Sequence, residues 1–128
     1  MVTERRNLSR RTFSYYMRAM DEMTGQPIGH FADISVTGFK LDCKQPLPPG
    51  TNLVMRVEQI DNIAGRDYMV FVACSKWCKR DEFDVSKYNI GFQLENISAA
   101  DYEVFVKLYN ACGVPKTKHT KNMRPAYV

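Results

Sequence analysis

A mainly β domain, a six-stranded antiparallel barrel followed by one C-terminal α-helix, is the fold class the sequence predicts. Three observations predict it. Apolar residues recur at every second position in a series of short segments from Thr12 to Glu95, the period of strands with one buried face. Glycine, proline, asparagine and aspartate separate those segments, so the connections are short turns. After Ser98 the apolar period becomes helical.

In chain order, Phe13, Tyr15 and Met17 alternate with Ser14, Tyr16 and Arg18 and predict a first strand. Asp21 to Pro27 holds Thr24-Gly25 and a proline, a hairpin connection. Ile28, His30, Ala32 and Ile34 predict a second strand. A tight turn at Thr37-Gly38 leads into a third at Phe39–Cys43. Pro46-Leu47-Pro48-Pro49-Gly50 lacks the amide donors a sheet needs and must be a loop. Leu53, Met55 and Val57 predict a fourth strand, Asn62 to Arg66 a turn, and Tyr68 to Trp77 a long fifth strand. Lys79 to Lys87 is polar and reads as a hairpin tip, before Tyr88, Ile90, Phe92 and Leu94 alternate in a sixth strand. Closing six strands on themselves removes most unpaired edges. Ser98-Ala99-Ala100-Asp101 then reads as a capping box, the serine accepting from an early helical N–H while the aspartate reaches back. Tyr102, Phe105, Val106 and Tyr109 predict one apolar helix face, and Gly113 and Pro115 its end. Such a helix is expected to cap an open end of the barrel.

A chain of 128 residues, nearly half of them apolar, makes one domain with one core. No apolar run is long enough to cross a bilayer, and Met-Val-Thr-Glu-Arg-Arg lacks the hydrophobic stretch of a secretory signal, so membrane insertion is not expected and a cytoplasmic location is. In that compartment Cys43, Cys74, Cys78 and Cys112 are expected to be reduced thiols packed as small apolar groups, and no close cysteine or histidine pair supplies zinc geometry. The formal net charge of +4 is concentrated at the ends: Arg5, Arg6, Arg10 and Arg11 form one cluster, and Lys116, Lys118, Lys121 and Arg124 the other. That pattern suits a neutral barrel with a local anion site at the N-terminal cluster better than a uniformly basic nucleic-acid binder. The expected layout is a flexible arginine-rich arm over residues 1–11, the barrel and helix over 12–113 with the helix at about 98–112, and a basic tail over 114–128.

Two segments carry chemistry. One is Arg6-Asn7-Leu8-Ser9-Arg10, flanked by Arg5 and Arg11; the other is Asp33-Ile34-Ser35-Val36-Thr37-Gly38. Alone, the first is an ordinary solvated charge run and the second an ordinary turn with local side-chain hydrogen bonds. In this order, ahead of a barrel, they resemble the signature of the PilZ family: Arg-x-x-x-Arg in an N-terminal arm, then Asp/Asn-x-Ser-x-x-Gly between strands. Asn89-Ile90-Gly91-Phe92-Gln93-Leu94 is similar to that family's last strand, and the resemblance runs from about Glu4 to Gly113. It implies a six-stranded barrel with a C-terminal helix, a site for cyclic di-GMP, and an arm that folds over the ligand. The site residues it implies are Arg6, Arg10, Asp33, Ser35 and Gly38. By position alone, Arg5 and Arg11, which flank the first motif, and His30, close to the second, are candidates for additional contacts, against the plainer reading of His30 as an ordinary strand histidine.

The side chains suit that ligand on chemical grounds as well. Arginine's planar fork pairs with phosphate oxygens or with guanine O6 and N7, and it stacks on purine faces. An aspartate accepts from guanine N1–H and its exocyclic amine together, which adenine cannot match. Ser35 offers a hydroxyl to a base edge or phosphate, and Gly38 is expected to permit a backbone conformation that a side chain would forbid. No nucleophile with a base and orienter, no nucleotide-hydrolase glycine loop and no paired carboxylates stand out, so an enzyme is not expected, nor a cofactor beyond the ligand itself. A stand-alone receptor of this kind needs a protein partner for its output, in motility, adhesion, polysaccharide synthesis or signalling. Two other classes compete: a PilZ-like interaction module that has lost the nucleotide, which the intact motifs argue against, and a small basic barrel for single-stranded nucleic acid, which the terminal placement of charge argues against. Trp77 reads as a rim or core aromatic, and Asp81-Glu82 and Asp84 as a solvated tip able to meet a partner.

Overall fold

The protein is described by a computed structural model over residues 11–12 and 16–112. The strands are β1 (Arg11–Thr12), β2 (Arg18–Asp21), β3 (Pro27–Ile34), β4 (Gly38–Cys43), β5 (Asn52–Glu58), β6 (Tyr68–Arg80) and β7 (Tyr88–Asn96). Two helices are present among the described residues, a single turn α1 (Asp61–Ala64) and α2 (Ala99–Ala111). Strands β2 to β7 pair antiparallel in the ring β3-β2-β5-β6-β7-β4, and the β3–β4 pairing closes it into the expected six-stranded barrel. The short β1 lies outside the ring along β3, with Arg11 opposite Ile34 and Thr12 opposite Asp33.

Alternation decides which side chains fill the barrel. On β5, Met55 and Val57 are fully buried; on β6, Met69, Phe71, Ala73 and Ser75 point inward at every second residue. Phe39 of β4 sits at the centre, its ring 5.0 Å from Phe31, 5.3 Å from Phe92 and 5.6 Å from Phe71. The helix α2 delivers Phe105 into the same cluster, 6.2 Å from Phe39 and 6.1 Å from Phe71, so it plugs the barrel end as well as covering it. Aromatic pairs at such spacings contribute about 0.5–1.5 kcal/mol each beyond the area they bury.

Several local expectations are corrected. The first barrel strand begins at Arg18, later than the Phe13–Met17 alternation suggests; Ala19 is its inward residue, Met17 just before it is also buried, and 13–15 lie outside the described residues. In β3 the register slips between Phe31 and Asp33, so the chain bulges at Ala32. That bulge turns Phe31, Asp33 and Ile34 inward and leaves His30 half-exposed, which simple alternation from Ile28 does not convey. The expected turn at Asn62–Arg66 holds the helical turn α1, where Ile60 and Ala64, four residues apart, are both buried. Strand β6 runs on to Arg80, three residues past Trp77.

The helix α2 starts where expected, the Ser98 hydroxyl accepting from the Asp101 amide at 3.0 Å. The Asp101 carboxylate pairs with Arg66 at 2.7 Å, linking the helix to the loop after α1. Its deepest residues are Val104, Phe105 and Leu108, rather than the Tyr102, Phe105, Val106 and Tyr109 face the spacing suggests. The two tyrosines flank that stripe half-buried, where an apolar ring can pack while the hydroxyl stays near polar groups. Tyr102 uses this position to donate to the Val36 carbonyl at 2.8 Å. The helix ends on Cys112, whose amide reaches back to Leu108 and Tyr109; Gly113 and Pro115 lie outside the described residues.

Candidate functional site

The Asp33–Gly38 segment forms the corner between β3 and β4. The Ser35 amide donates to the Gly38 carbonyl at 2.8 Å and closes a tight turn. The Ser35 hydroxyl accepts from the amides of Gly38 at 3.2 Å and Thr37 at 3.4 Å, and it lies 3.3 Å from the Gly38 carbonyl oxygen. Ser35 is therefore the internal brace of the corner, a use of serine expected from its habit of bonding nearby backbone. Two longer-range bonds fix the corner in the fold: Tyr102 of α2 on the Val36 carbonyl, and the Leu94 amide of β7 on the Thr37 carbonyl at 3.0 Å.

Gly38 is required for a different reason than the expected one. Its φ is not among the positive values, which fall at Gly25, Gly50 and Gly65. A Cβ at position 38 would instead stand 2.3 Å from the Phe92 carbonyl oxygen, so glycine here permits β4 to pack against β7. Asp33 follows the bulge in β3 and is almost fully buried, its Oδ2 3.7 Å from the Lys40 ammonium across the β3–β4 ladder.

Beside this corner lies a groove of about 200 Å³, lined by Thr37, Gly38, Lys76, Trp77, Gly91 and Gln93. Trp77 pairs with Gly91 across β6 and β7, and its indole lies over that glycine so closely that a Cβ there would meet it at 2.3 Å. The residue is 40 % exposed, with the Lys79 ammonium 5.8 Å from the ring centre, so one aromatic side chain with positive charge nearby borders the groove. Reading Trp77 as a rim aromatic fits this place but misses that the rim adjoins Gly38. The clue was Gly91, whose lack of a side chain makes room for the indole.

The remaining candidates divide. Arg5, Arg6 and Arg10 lie outside the described residues. Arg11 is half-buried against α2, its guanidinium 4.6 Å above the Tyr109 ring and Nη1 3.4 Å from the Tyr109 carbonyl oxygen. It lies opposite Ile34 of β3, and Thr12 next to it lies opposite Asp33. His30 lines a separate cleft, 3.6 Å from the Asp42 carboxylate and against the Tyr16 ring at 5.1 Å. Asp33, Ser35 and Gly38 thus share one corner, Arg11 anchors beside it, and His30 belongs elsewhere. Among the described residues no group of histidine, cysteine and acidic side chains could hold a metal ion, and no helix is long and apolar enough to cross a membrane.

A closed barrel with a helical plug, its polar Asp33–Gly38 corner on one hairpin and Arg11 beside it, defines a class of small β-barrel domain. A family model, the PilZ domain, matches residues 4–111, and the chain belongs to the PilZ domain family. Among solved structures it is similar to the PilZ domain of YcgR from Escherichia coli, determined with c-di-GMP, at 13 % identity and a TM-score of 0.60, covering 92 % of this chain and 94 % of that one. It is also similar to the inhibitor of motility MotI/DgrA of Bacillus subtilis, at 14 % identity and a TM-score of 0.60 over 80 % of this chain; there it spans about half of the longer structure, 47 %. At these identities the likeness is one of fold. No curated protein matches the chain by sequence.

Proposed function

We propose that the chain is a cyclic di-GMP receptor that works as an adaptor in the cytoplasm, with a protein partner carrying the output. The observation that supports it most is the placement of β1. Thr12 stands opposite Asp33, so the segment holding Arg6 and Arg10 is covalently rooted beside the Asp33–Gly38 corner. From Arg11, an extended chain covers at most about 3.3–3.6 Å per residue, which keeps both arginines within reach of the corner and the groove. Arg6 and Arg10 take the phosphates and the guanine O6 and N7 edges, with Arg5 adding charge. Asp33 accepts from guanine N1–H and its amine.

Ser35 contributes by holding the turn in shape, since its hydroxyl is already engaged there. Trp77, exposed over Gly91, offers a purine a stacking surface beside Gly38. The YcgR domain that this chain resembles in fold was determined with c-di-GMP, which favours the same ligand class here. The residues named bind and orient; none is asked to do chemistry.

Calorimetric titration with cyclic di-GMP, beside cyclic di-AMP and GTP, tests the reading. Trp77 is the only tryptophan, so its fluorescence reports the groove independently. Saturable binding of cyclic di-GMP alone, weakened at least about tenfold by Arg10→Ala and by Asp33→Ala, is expected from the loss of a charge-assisted contact. Absence of both heat and a fluorescence change at millimolar nucleotide refutes it.

A further inference from the structure

Two features at one end of the barrel take no part in the nucleotide reading. The first is the β6–β7 tip, residues 81–87, which holds an apolar pair in water: Phe83 is 92 % exposed and Val85 69 %. The tip is held by its own hydrogen bonds. Asp81 Oδ2 accepts from the amides of Phe83 and Asp84, each at 2.9 Å, and Asp84 Oδ1 accepts from the Ser86 amide at 3.0 Å and the Ser86 hydroxyl at 2.6 Å. The Asp81 amide bonds the Lys87 carbonyl at 2.9 Å and the Lys87 amide the Asp84 carbonyl at 3.0 Å. Arg80 donates to the Val85 carbonyl and to the Tyr88 hydroxyl. The backbone bond from Phe83 and the Ser86 hydroxyl hold the Asp81 and Asp84 carboxyls, respectively, below their usual range, so the scaffold stays charged and bonded near neutrality. A phenyl ring is thus presented at little further ordering cost, on a tip that also carries Glu82.

The second feature is the cleft beside it, about 410 Å³, with Ile28, Leu47 and Leu53 among its apolar lining and Arg18 and Lys44 among its charged residues. Tip and cleft are neighbours: Asp42, which lines the cleft, pairs with Asn89 across β4 and β7 and lies 3.8 Å from the Lys87 ammonium. Asp42 is occupied by His30 at 3.6 Å and by the Asn89 amide at 2.8 Å, and Asp21, the other acid of the lining, accepts from the Met23 amide at 2.9 Å, so Arg18 and Lys44 are the basic groups an acidic guest meets. An apolar anchor with acidic flanks therefore stands next to an apolar recess with basic residues in its lining, on the same chain.

We propose that this end of the barrel is a self-association surface, on which two copies related by a two-fold axis each insert Phe83 into the other's Ile28–Leu47–Leu53 cleft. Adjacency of knob and recess is what a two-fold contact needs, because one operation then satisfies both at once. The charge signs agree, acidic tip against Arg18 and Lys44. Two small contacts fall short of the area of a stable dimer, so the complex belongs to the weak class, with a dissociation constant on the order of 0.1 mM.

Sedimentation equilibrium of the full chain without nucleotide, from about 0.02 to 1 mM, tests this apart from the receptor reading. A monomer–dimer equilibrium is expected. Phe83→Ala should weaken it at least about tenfold, as truncation of a central aromatic anchor does. Arg18→Glu with Lys44→Glu should do the same from the other side of the contact. All three side chains are exposed, so circular dichroism should report an unchanged fold. A monomer throughout the range, growth past the dimer, or a dimer indifferent to either variant overturns the proposal.

Discussion

Replacing Gly38 by alanine sets two opposed effects against each other, and the structure decides between them. Where the backbone conformation is one that alanine can adopt, losing a glycine stabilises by about 0.4–1 kcal/mol through the unfolded chain. Position 38 has no positive φ, so that term favours alanine. Against it stands the new Cβ, 2.3 Å from the Phe92 carbonyl oxygen and 3.3 Å from the Gln93 Cα. Both are backbone atoms, which cannot rotate away, so β4 and β7 must part by the better part of an ångström. Overpacking of this kind costs about 1–3 kcal/mol, and a clash this deep belongs at the upper end. The expected net loss is about 2 kcal/mol, or roughly 8 °C in melting temperature for a domain this size. The parting also pulls on the Leu94 amide bond to Thr37, so exchange of the Leu94 amide should quicken more than that of amides on β5. Thermal melts by circular dichroism, with exchange read by NMR, check both. A variant melting within about 2 °C of the parent would refute the close-approach account of this glycine.

Ser35→Ala leaves the buried Gly38 amide without the hydroxyl it donates to, and should cost about 1–2 kcal/mol in urea titrations while weakening cyclic di-GMP through the altered turn. Arg11→Ala removes the stacking and hydrogen bond on Tyr109 and should cost about 1 kcal/mol, visible as a lower urea midpoint at unchanged slope. Burial first, then the charge of Asp42, pushes the Cys43 thiol up from 9.0 to about 12. Because the unfolded thiol ionises first, the stability this thiol contributes is complete below pH 9 and is lost progressively between pH 9 and about 12. Cys43→Ala should flatten the stability profile in that window, by up to about 1.4 kcal/mol per pH unit.

What could be read from the sequence was what is local along the chain. Strands β5, β6 and β7 announced themselves because Met55 and Val57, Phe71 and Ala73, and Ile90 and Phe92 recur at every second position. Alternation failed in β3, where the bulge at Ala32 exchanges the faces midway, and bulges leave no mark in an apolar pattern. The one-turn helix α1 was hidden because only Ile60 and Ala64 carry its period. The candidate site divides the same way. Asp33, Ser35 and Gly38 are contiguous and legible as a motif; Trp77, Gly91 and Gln93 join them only through the registers of β6 with β7 and of β4 with β7, which no single segment encodes.

The ring of strands is two successive meanders, β2-β3-β4 and β5-β6-β7, each made of hairpins between sequence neighbours, joined at the β2–β5 and β4–β7 seams. Gly38 and Gln93 face each other on the second seam, and the groove beside them takes walls from both halves. A molecule seated there would be a clasp across the line where the chain's two locally formed sheets must find each other. Occupancy and barrel closure would then draw on the same join.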